Sequence, residues 1–515
     1  MSRLEKSVKN IILSFGSSTL SSILSFISRT VFIKMLGNEY LGLSGLLMNV
    51  LGFLSITELG FSSAIGFSLY KPLAEGNKRQ ISALMTLYKK VYRIIAVIVS
   101  ISGIFLYFSL DFFIPPEQQP TGTEFAYFAF LFNIVIGYLF SYKVTLIGSD
   151  NQAYKLVPIS SVFMFIQTIG QIIVLCLFKS YIAYLCVQIV FSAISMIVQN
   201  RYVTQKYKEI DFDSKEKIEE ETQKTIKRNI GGLVIGKIGD YLINSTDNLI
   251  ITKLVSLAAT GIYSNYLTIR GIVNSFISSL FVGMTGSLGN IVAVESDERK
   301  LEVCDTIMFF SFFIYSFEAV CFMCLFNTFI GDLWIGRQYT FDNYTVFIIV
   351  LNNYLTGLRM PLITLKNVAG KYLEDAWIPF GFAGVNLVAS IFLAKYIGVA
   401  GVFLGTIIGS LCTADWYRPV IMYKKVFHAS VRQYYKKYVI YVGLGIIYIL
   451  GTFWLCSFIK VENVFFRFVC RALIAMTVPV VCNIILFYHT KEFRSLYSML
   501  ERICQPLLKY KKNQE

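Results

Sequence analysis

Long apolar stretches recur along the whole chain, separated by short polar breaks. A helix rises 1.5 Å per residue, so a membrane-spanning helix needs roughly 20 mostly apolar residues. Fourteen segments meet that requirement: 11–33, 41–68, 91–113, 124–146, 156–178, 180–200, 230–253, 259–287, 305–330, 342–365, 376–395, 398–422, 438–459 and 464–488. Two of the breaks, around Lys179 and Gly398, are so tight that each flanking pair resembles one long segment. The pattern predicts an all-α polytopic membrane protein with about 14 transmembrane helices.

Composition changes the picture by exclusion. The 515 residues are 55% apolar and only 15% charged, against about 25% charged in ordinary soluble proteins. A set of soluble domains is thereby excluded. The charges are also lopsided, with 47 Lys+Arg against 32 Asp+Glu and a net charge of +15. In a soluble protein that excess would suggest nucleic acid. Here the basic groups Arg3/Lys6/Lys9, Lys71/Lys78/Arg79, Lys89/Lys90/Arg93, Lys424/Lys425/Lys436/Lys437 and Lys509/Lys511/Lys512 all fall on one side when the N-terminus is cytoplasmic. The opposite loop, IPPEQQPTGTE, has no Lys or Arg. The positive-inside rule then predicts both termini cytoplasmic and no nucleic-acid partner. The first apolar run lacks an Ala-x-Ala-type site, so insertion through the protein's own helices is expected.

Candidate metal or redox chemistry is thin. Cys321 and Cys324 have zinc-like spacing, but no second pair or nearby histidine completes a site. The two histidines, His428 and His489, sit at the ends of apolar runs. No catalytic residue, metal site or resident cofactor is expected, and the absence of a Gly-x-x-x-x-Gly-Lys-Ser/Thr loop argues against ATP hydrolysis.

The longest polar segment, 201–229, carries DFDSKEKIEEETQKTIKR and falls between the sixth and seventh spans. A shift of 218–220 residues realigns features on either side of it. Arg29–Leu36 falls on Asp247–Leu254, Gly42 on Gly261, and Glu75–Gln80 on Glu295–Lys300. Six spans per half make a parallel repeat, whose substrate cavity is expected at the repeat interface near mid-membrane. The expected organisation is a six-helix bundle over 1–200, a charged cytoplasmic linker over 201–229, a second six-helix bundle over 230–425, and two additional helices with a basic tail over 426–515.

Ionisable groups inside spans cost at least about 2.5 kcal/mol each on insertion scales, so each requires an explanation. Lys237, Asp240, Asn244 and Asp247 fall at steps of three, four and three, on one face of the seventh span. Ser18, Ser22, Ser25 and Arg29 share a face of the first span, and Tyr266, Arg270 and Asn274 share one of the eighth. Asn352, Arg359 and Lys366 recur every seven residues in the tenth, while Glu58 and Glu318 are single acids in the second and ninth. A water-filled cavity would account for these together. Its cations, Arg29, Lys237, Arg270 and Arg359, suit an anionic group, and guanidinium forks fit phosphate oxygens. Its acids, Asp240, Asp247 and Glu58, could bind and release protons or sodium, with Asn244, Asn274 and Asn352 as polar lining. Structural pairing of four cations with four acids is the competing reading, and within it Glu318 has the weaker functional claim.

The stretch SRTVFIKMLGNEYLGLSGLLMNVLGFLSITELGFSSAIGFSLYKPLAEGNKRQI (Ser28–Ile81) resembles the first two spans of bacterial oligosaccharide (polysaccharide repeat-unit) flippases. STDNLIITKLVSLAATGIYSNYLTIR (Ser245–Arg270) resembles the start of that family's second half. The resemblance implies the fold of the multidrug, oligosaccharidyl-lipid and polysaccharide exporter superfamily, two six-helix bundles in a V with two further C-terminal helices. It also implies a job: moving undecaprenyl-diphosphate-linked oligosaccharide to the outer leaflet of the bacterial plasma membrane, by alternating access coupled to H+ or Na+. Membrane lipid and other polysaccharide assembly proteins are the further partners expected. In the related lipid II flippases, cations of the first and eighth spans serve the cavity, which implies such roles for Arg29 and Arg270. A multidrug exporter or a lipid II flippase of the same superfamily is the alternative. A membrane polysaccharide polymerase is disfavoured, because the external loops are short.

Overall fold

The structure, a computed structural model, describes residues 23–58, 61–150, 152–216, 218, 246–369, 374 and 377–498. All regular structure among these residues is helical. Hydrocarbon imposes this, since every backbone N–H and C=O must be satisfied internally and a helix does so within one segment. Each of the fourteen expected segments lies on helix over most of its described length. Nine helices among the described residues are long and apolar enough to cross a membrane. The chain divides into two compact units, residues 1–264 and 265–515.

The first unit begins with α1 (23–36) and α2 (Asn38–Gly52). The second span then breaks into a 3-10 turn, Phe53–Glu58, before resuming as α3 (Phe61–Glu75). Gly52 and Gly60 flank that turn, and Ser55, Thr57 and Glu58 lie within it. Glycine and short polar side chains are poor helix formers, so the helix loosens where both cluster. Next come α4 (Lys78–Tyr107), α5 (Thr123–Ser149), α6 (Val157–Phe178) and α7 (Tyr181–Lys206). The tight break at Lys179 is a real turn: Lys179 adopts φ +48° and caps α6, while the Ser180 hydroxyl accepts from the Ala183 amide to start α7.

The charged linker does not begin as free chain. Its first six residues continue α7 to Lys206, and the described residues that follow reach one face of α4, where Ser82, Thr86 and Lys89 recur at helical spacing. The Asp211 and Ser214 amides donate to the Ser82 and Thr86 hydroxyls, both at 3.0 Å. Lys89 pairs with Asp213 at 2.6 Å, Lys78 with Glu209 at 2.5 Å and Arg79 with Glu216 at 3.0 Å. The Lys89 ammonium holds the Asp213 carboxyl below its usual range. A carboxylate depressed in this way contributes to docking above its ordinary titration range, and loses that contribution only as pH falls through the lowered value. Docking is therefore expected to be unchanged across neutral pH but weakened by high salt, which screens exposed pairs. Amide hydrogen exchange at Asp211 and Ser214, compared at low and high salt, checks this.

Beyond the linker, α8 (246–254) leads into α9 (Leu257–Val294). The division between the two compact units falls within α9, after Ser264. The cause is a close crossing of α2 and the first turns of α9. A Cβ on Gly42 would collide with the Leu257 carbonyl and lie 3.2 Å from the Gly261 nitrogen. A Cβ on Gly261 would collide with the Asn38 carbonyl and lie 3.2 Å from the Gly42 nitrogen. These are the two glycines that the repeat aligned. The contact is reciprocal, with each residue meeting the counterpart of its own neighbour.

In the second unit α10 (Asp297–Asn327) is central, packed against α11 (Asn343–Val368), α14 (Arg432–Ser457) and α15 (Val464–Phe487). Phe312 stacks on Tyr441 at 4.4 Å, and the Tyr354 hydroxyl donates to the Tyr441 carbonyl at 2.6 Å. The last two spans thus pack into the core of this unit. Between them and α11 lie α12 (Ile378–Cys412) and α13 (Ala414–Lys425). The break expected at Gly398 divides α12: Ile397 and Gly398 leave helical geometry, Gly398 with φ +57°. The two arms fold back on each other, bringing Gly401, Gly405 and Gly409 against Leu393, Ser390 and Asn386. Small residues every fourth position let membrane helices approach this closely.

Candidate functional site

The sequence-predicted residues fall into separate groups, one set in each unit. Lys237, Asp240 and Asn244 lie outside the described residues, as do Ser18 and Ser22, while Asp247 lies on α8. In the first unit, Arg29 on α1 donates to the Ser264 hydroxyl on α9 at 2.5 Å and sits beside Tyr184 of α7. Ser264 is one turn beyond Gly261, so the glycine crossing brings α9 close enough for this reach.

Glu58 ends the 3-10 turn and accepts a hydrogen bond from the Tyr92 hydroxyl at 2.6 Å. Tyr92 packs edge-on against Tyr88 at 4.5 Å and against Tyr138 at 5.8 Å. The Tyr88 hydroxyl meets Thr145 at 3.0 Å, and Ser62 meets Thr145 at 3.4 Å. A carboxylate, three tyrosines and two aliphatic hydroxyls thus form a polar cluster where the second span loosens. The tyrosines of α4 and α5 are not visible in the spacing of charged residues. They read as ordinary aromatic core until the fold brings them onto Glu58.

In the second unit, Arg270 and Asn274 share a face of α9, as expected. Asn274 donates to Asn353 at 3.4 Å, and Asn353 donates to one carboxylate oxygen of Glu318 at 3.1 Å. Arg270 acts electrostatically on Glu318. The chain of contacts therefore runs through Asn353, whereas its neighbour Asn352 is buried with its side-chain oxygen unpaired. Glu318, the acid with the weaker sequence claim, is the centre of this group. Tyr266, on the same face one turn before Arg270, has a different role. Its hydroxyl donates to Asn327 at 2.7 Å and accepts from the Phe341 amide at 2.9 Å, tying α9 to the loop after α10.

Arg359 has a counter-charge that the sequence pattern did not reveal. Asp415 at the start of α13 lies 3.6 Å from it, with side chains 13% and 3% exposed. Ser410 donates to the other Asp415 oxygen at 2.9 Å. Removing one member of a buried pair leaves an uncompensated charge and costs about 3–5 kcal/mol. Asp415→Asn is expected to lower unfolding stability by that order, measured by thermal unfolding in detergent. Replacing both residues by leucine is expected to restore stability and keep transport. A stable double variant without transport would instead assign Arg359 to the substrate.

Comparison with known proteins fits this arrangement. The sequence matches the family described as polysaccharide biosynthesis protein over residues 7–284. The chain belongs to that family. No curated protein matches it in sequence. Among solved structures it is similar to the lipid II flippase MurJ in an inward closed conformation, at 12% identity and TM-score 0.65, covering 93% of this chain and 99% of MurJ. An inward-facing multidrug resistance MATE family transporter of the MOP superfamily matches at 12% identity and TM-score 0.57, covering 76% and 92%. The eukaryotic MATE transporter AtDTX14 matches at 13% identity and TM-score 0.51, covering 92% and 99%. These likenesses establish the fold: this polysaccharide biosynthesis protein is a multi-pass membrane protein with the MurJ and MATE architecture.

Proposed function

We propose that the protein is a flippase that moves polyprenyl-diphosphate-linked oligosaccharide across the bacterial plasma membrane for surface polysaccharide assembly. The observation that carries the reading is family membership combined with the fold of a lipid II flippase over nearly the whole chain. The in-span guanidinium groups add chemical support. Arg29 and Arg270 are suited to diphosphate oxygens, which they can grip with paired N–H donors. The polyprenyl tail stays in lipid while the headgroup crosses by alternating access. The chain carries out no covalent chemistry on its cargo, and its drive is a cation gradient acting through in-span acids.

In this reading both termini face the cytoplasm, where the substrate is loaded. Deleting the gene is expected to remove surface glycan and to accumulate lipid-linked precursor on the cytoplasmic side, assayed by lipid extraction. Normal glycan with new drug sensitivity would overturn the proposal in favour of a multidrug exporter, a reading that the MATE-like fold also accommodates.

A further inference from the structure

We propose that Lys89 on α4 and Lys143 on α5 form a capture site for a lipid-borne diphosphate at the cytoplasmic interface, and that the chain's own acidic linker occupies it in this structure. The proposal deepens the proposed function, and rests on it for the cargo and for the cytoplasmic placement of the linker.

The segment 209–216 is held by two kinds of contact. Neutral anchors fix where it lies: Ile210 is buried, the Asp211 and Ser214 amides donate to Ser82 and Thr86, and the Phe212 ring meets Tyr142 edge-on at 6.1 Å. The charged contacts are unequal. Lys78–Glu209 and Arg79–Glu216 are exposed on both sides, and such pairs contribute little. Lys89 differs. Its ammonium donates to both Asp213 oxygens, at 2.7 and 2.6 Å, and its side chain is 15% exposed against 73% for Asp213. The cation is set into the protein while its counter-anion stands in water.

That asymmetry is what a replaceable anion requires. A mostly buried ammonium needs a counter-charge, and Asp213 is the only carboxylate within ion-pair distance of it among the described residues. Beside it, the Lys143 ammonium donates to the Thr204 hydroxyl at 2.7 Å and lies 4.9 Å from the centre of the Phe212 ring. No carboxylate lies within ion-pair distance of Lys143 among the described residues. Two ammonium groups thus hold consecutive linker residues, Phe212 and Asp213, with one acid to compensate them. A lipid diphosphate carries charge on each of its phosphates and can compensate both lysines. Depth favours a phosphate on a lipid over a soluble one. Both lysines flank the cytoplasmic ends of apolar segments, 91–113 and 124–146, at the level of the inner-leaflet headgroups. On arrival the diphosphate takes the place of Asp213 on Lys89, the ammonium stays compensated throughout, and the linker leaves α4.

The test uses the purified full chain in phosphatidylcholine nanodiscs, with deuterium exchange at the Asp211 and Ser214 amides reporting linker release. At about ten times its Kd, farnesyl diphosphate should speed exchange at both amides about tenfold, as expected for a ligand that excludes the linker. Inorganic diphosphate at equal concentration and ionic strength should act only weakly; equal action overturns the lipid-borne assignment, and no effect of either overturns the site. The double variant Lys89→Gln/Lys143→Gln should show no response to farnesyl diphosphate, and a response that persists in it overturns the proposal. Because that variant loosens the linker by itself, Asp213→Asn supplies a second measurement. It removes the competing charge at an exposed position and should bind farnesyl diphosphate, by calorimetry, at roughly two- to tenfold lower concentration. Unchanged affinity in Asp213→Asn overturns the competition. Surface glycan that still disappears on gene deletion, while farnesyl diphosphate leaves the linker docked, overturns the capture site and leaves the flippase reading standing.

Discussion

Gly42→Leu is expected to abolish transport, and Gly261→Leu to do the same. Each glycine sits where an added Cβ would strike a backbone carbonyl of the opposing helix, which cannot swing aside as a flexible side-chain end can. Overpacking typically costs about 1–3 kcal/mol, and collision with backbone belongs at or above the upper end. Even alanine should be felt at either position. The two sites share one crossing, so once one substitution has forced the helices apart the second should cost little more. The double alanine variant should thus be clearly less destabilised than the sum of the singles, which a double-mutant cycle of unfolding stability measures. Additive losses would show that the glycines do not act through a common contact.

Arg270→Ala is expected to lower surface glycan by more than tenfold at unchanged protein level, and Arg29→Ala to lower it comparably. A hydrogen bond to a charged group is worth about 1.5–3 kcal/mol, which converts to roughly 10- to 150-fold in affinity. Protein level is the informative control for Arg270. Its removal breaks no ion pair among the described residues, unlike removal of Asp415, but it takes away a positive charge that acts on buried Glu318, so a fold-only role predicts a lowered protein level. Lysine at either position should recover part of the activity, because it restores charge but not the two-pronged donor geometry. Quantifying surface glycan and membrane-inserted protein in the same cells separates the outcomes. Full export by both alanine variants would remove the cationic-site reading.

Much of the fold was legible because the membrane sets a length scale. Twenty apolar residues mean a span, and even the tight breaks at Lys179 and Gly398 appear in the structure as a left-handed cap and a reversal within α12. The site was legible only in part. Helical periodicity placed Arg270 and Asn274 on one face, but it carries no information about which neighbouring helix meets that face. Asn352 and Asn353 were equally available to sequence reasoning, and only packing shows that Asn353 reaches Glu318. Asp415 is invisible as the partner of Arg359 for the same reason, since 56 residues and a helix reversal separate them. The integration of α14 and α15 into the second unit depends on aromatic contacts such as Phe312–Tyr441, which no repeat or charge count records.

The α2–α9 crossing bears on the history of the chain. A contact in which residue i meets the counterpart of j, while j meets the counterpart of i, is the isologous geometry of a two-fold homodimer. Asn38 with Gly261 and Leu257 with Gly42 satisfy that relation across a constant offset of 219 residues. A half-length ancestor pairing through this glycine would have been bound to symmetry, with every cation placed on one side duplicated on the other. Fusion lifts that constraint. Arg29 and its aligned counterpart Asp247 now carry opposite charges, an asymmetry closed to two copies of one chain.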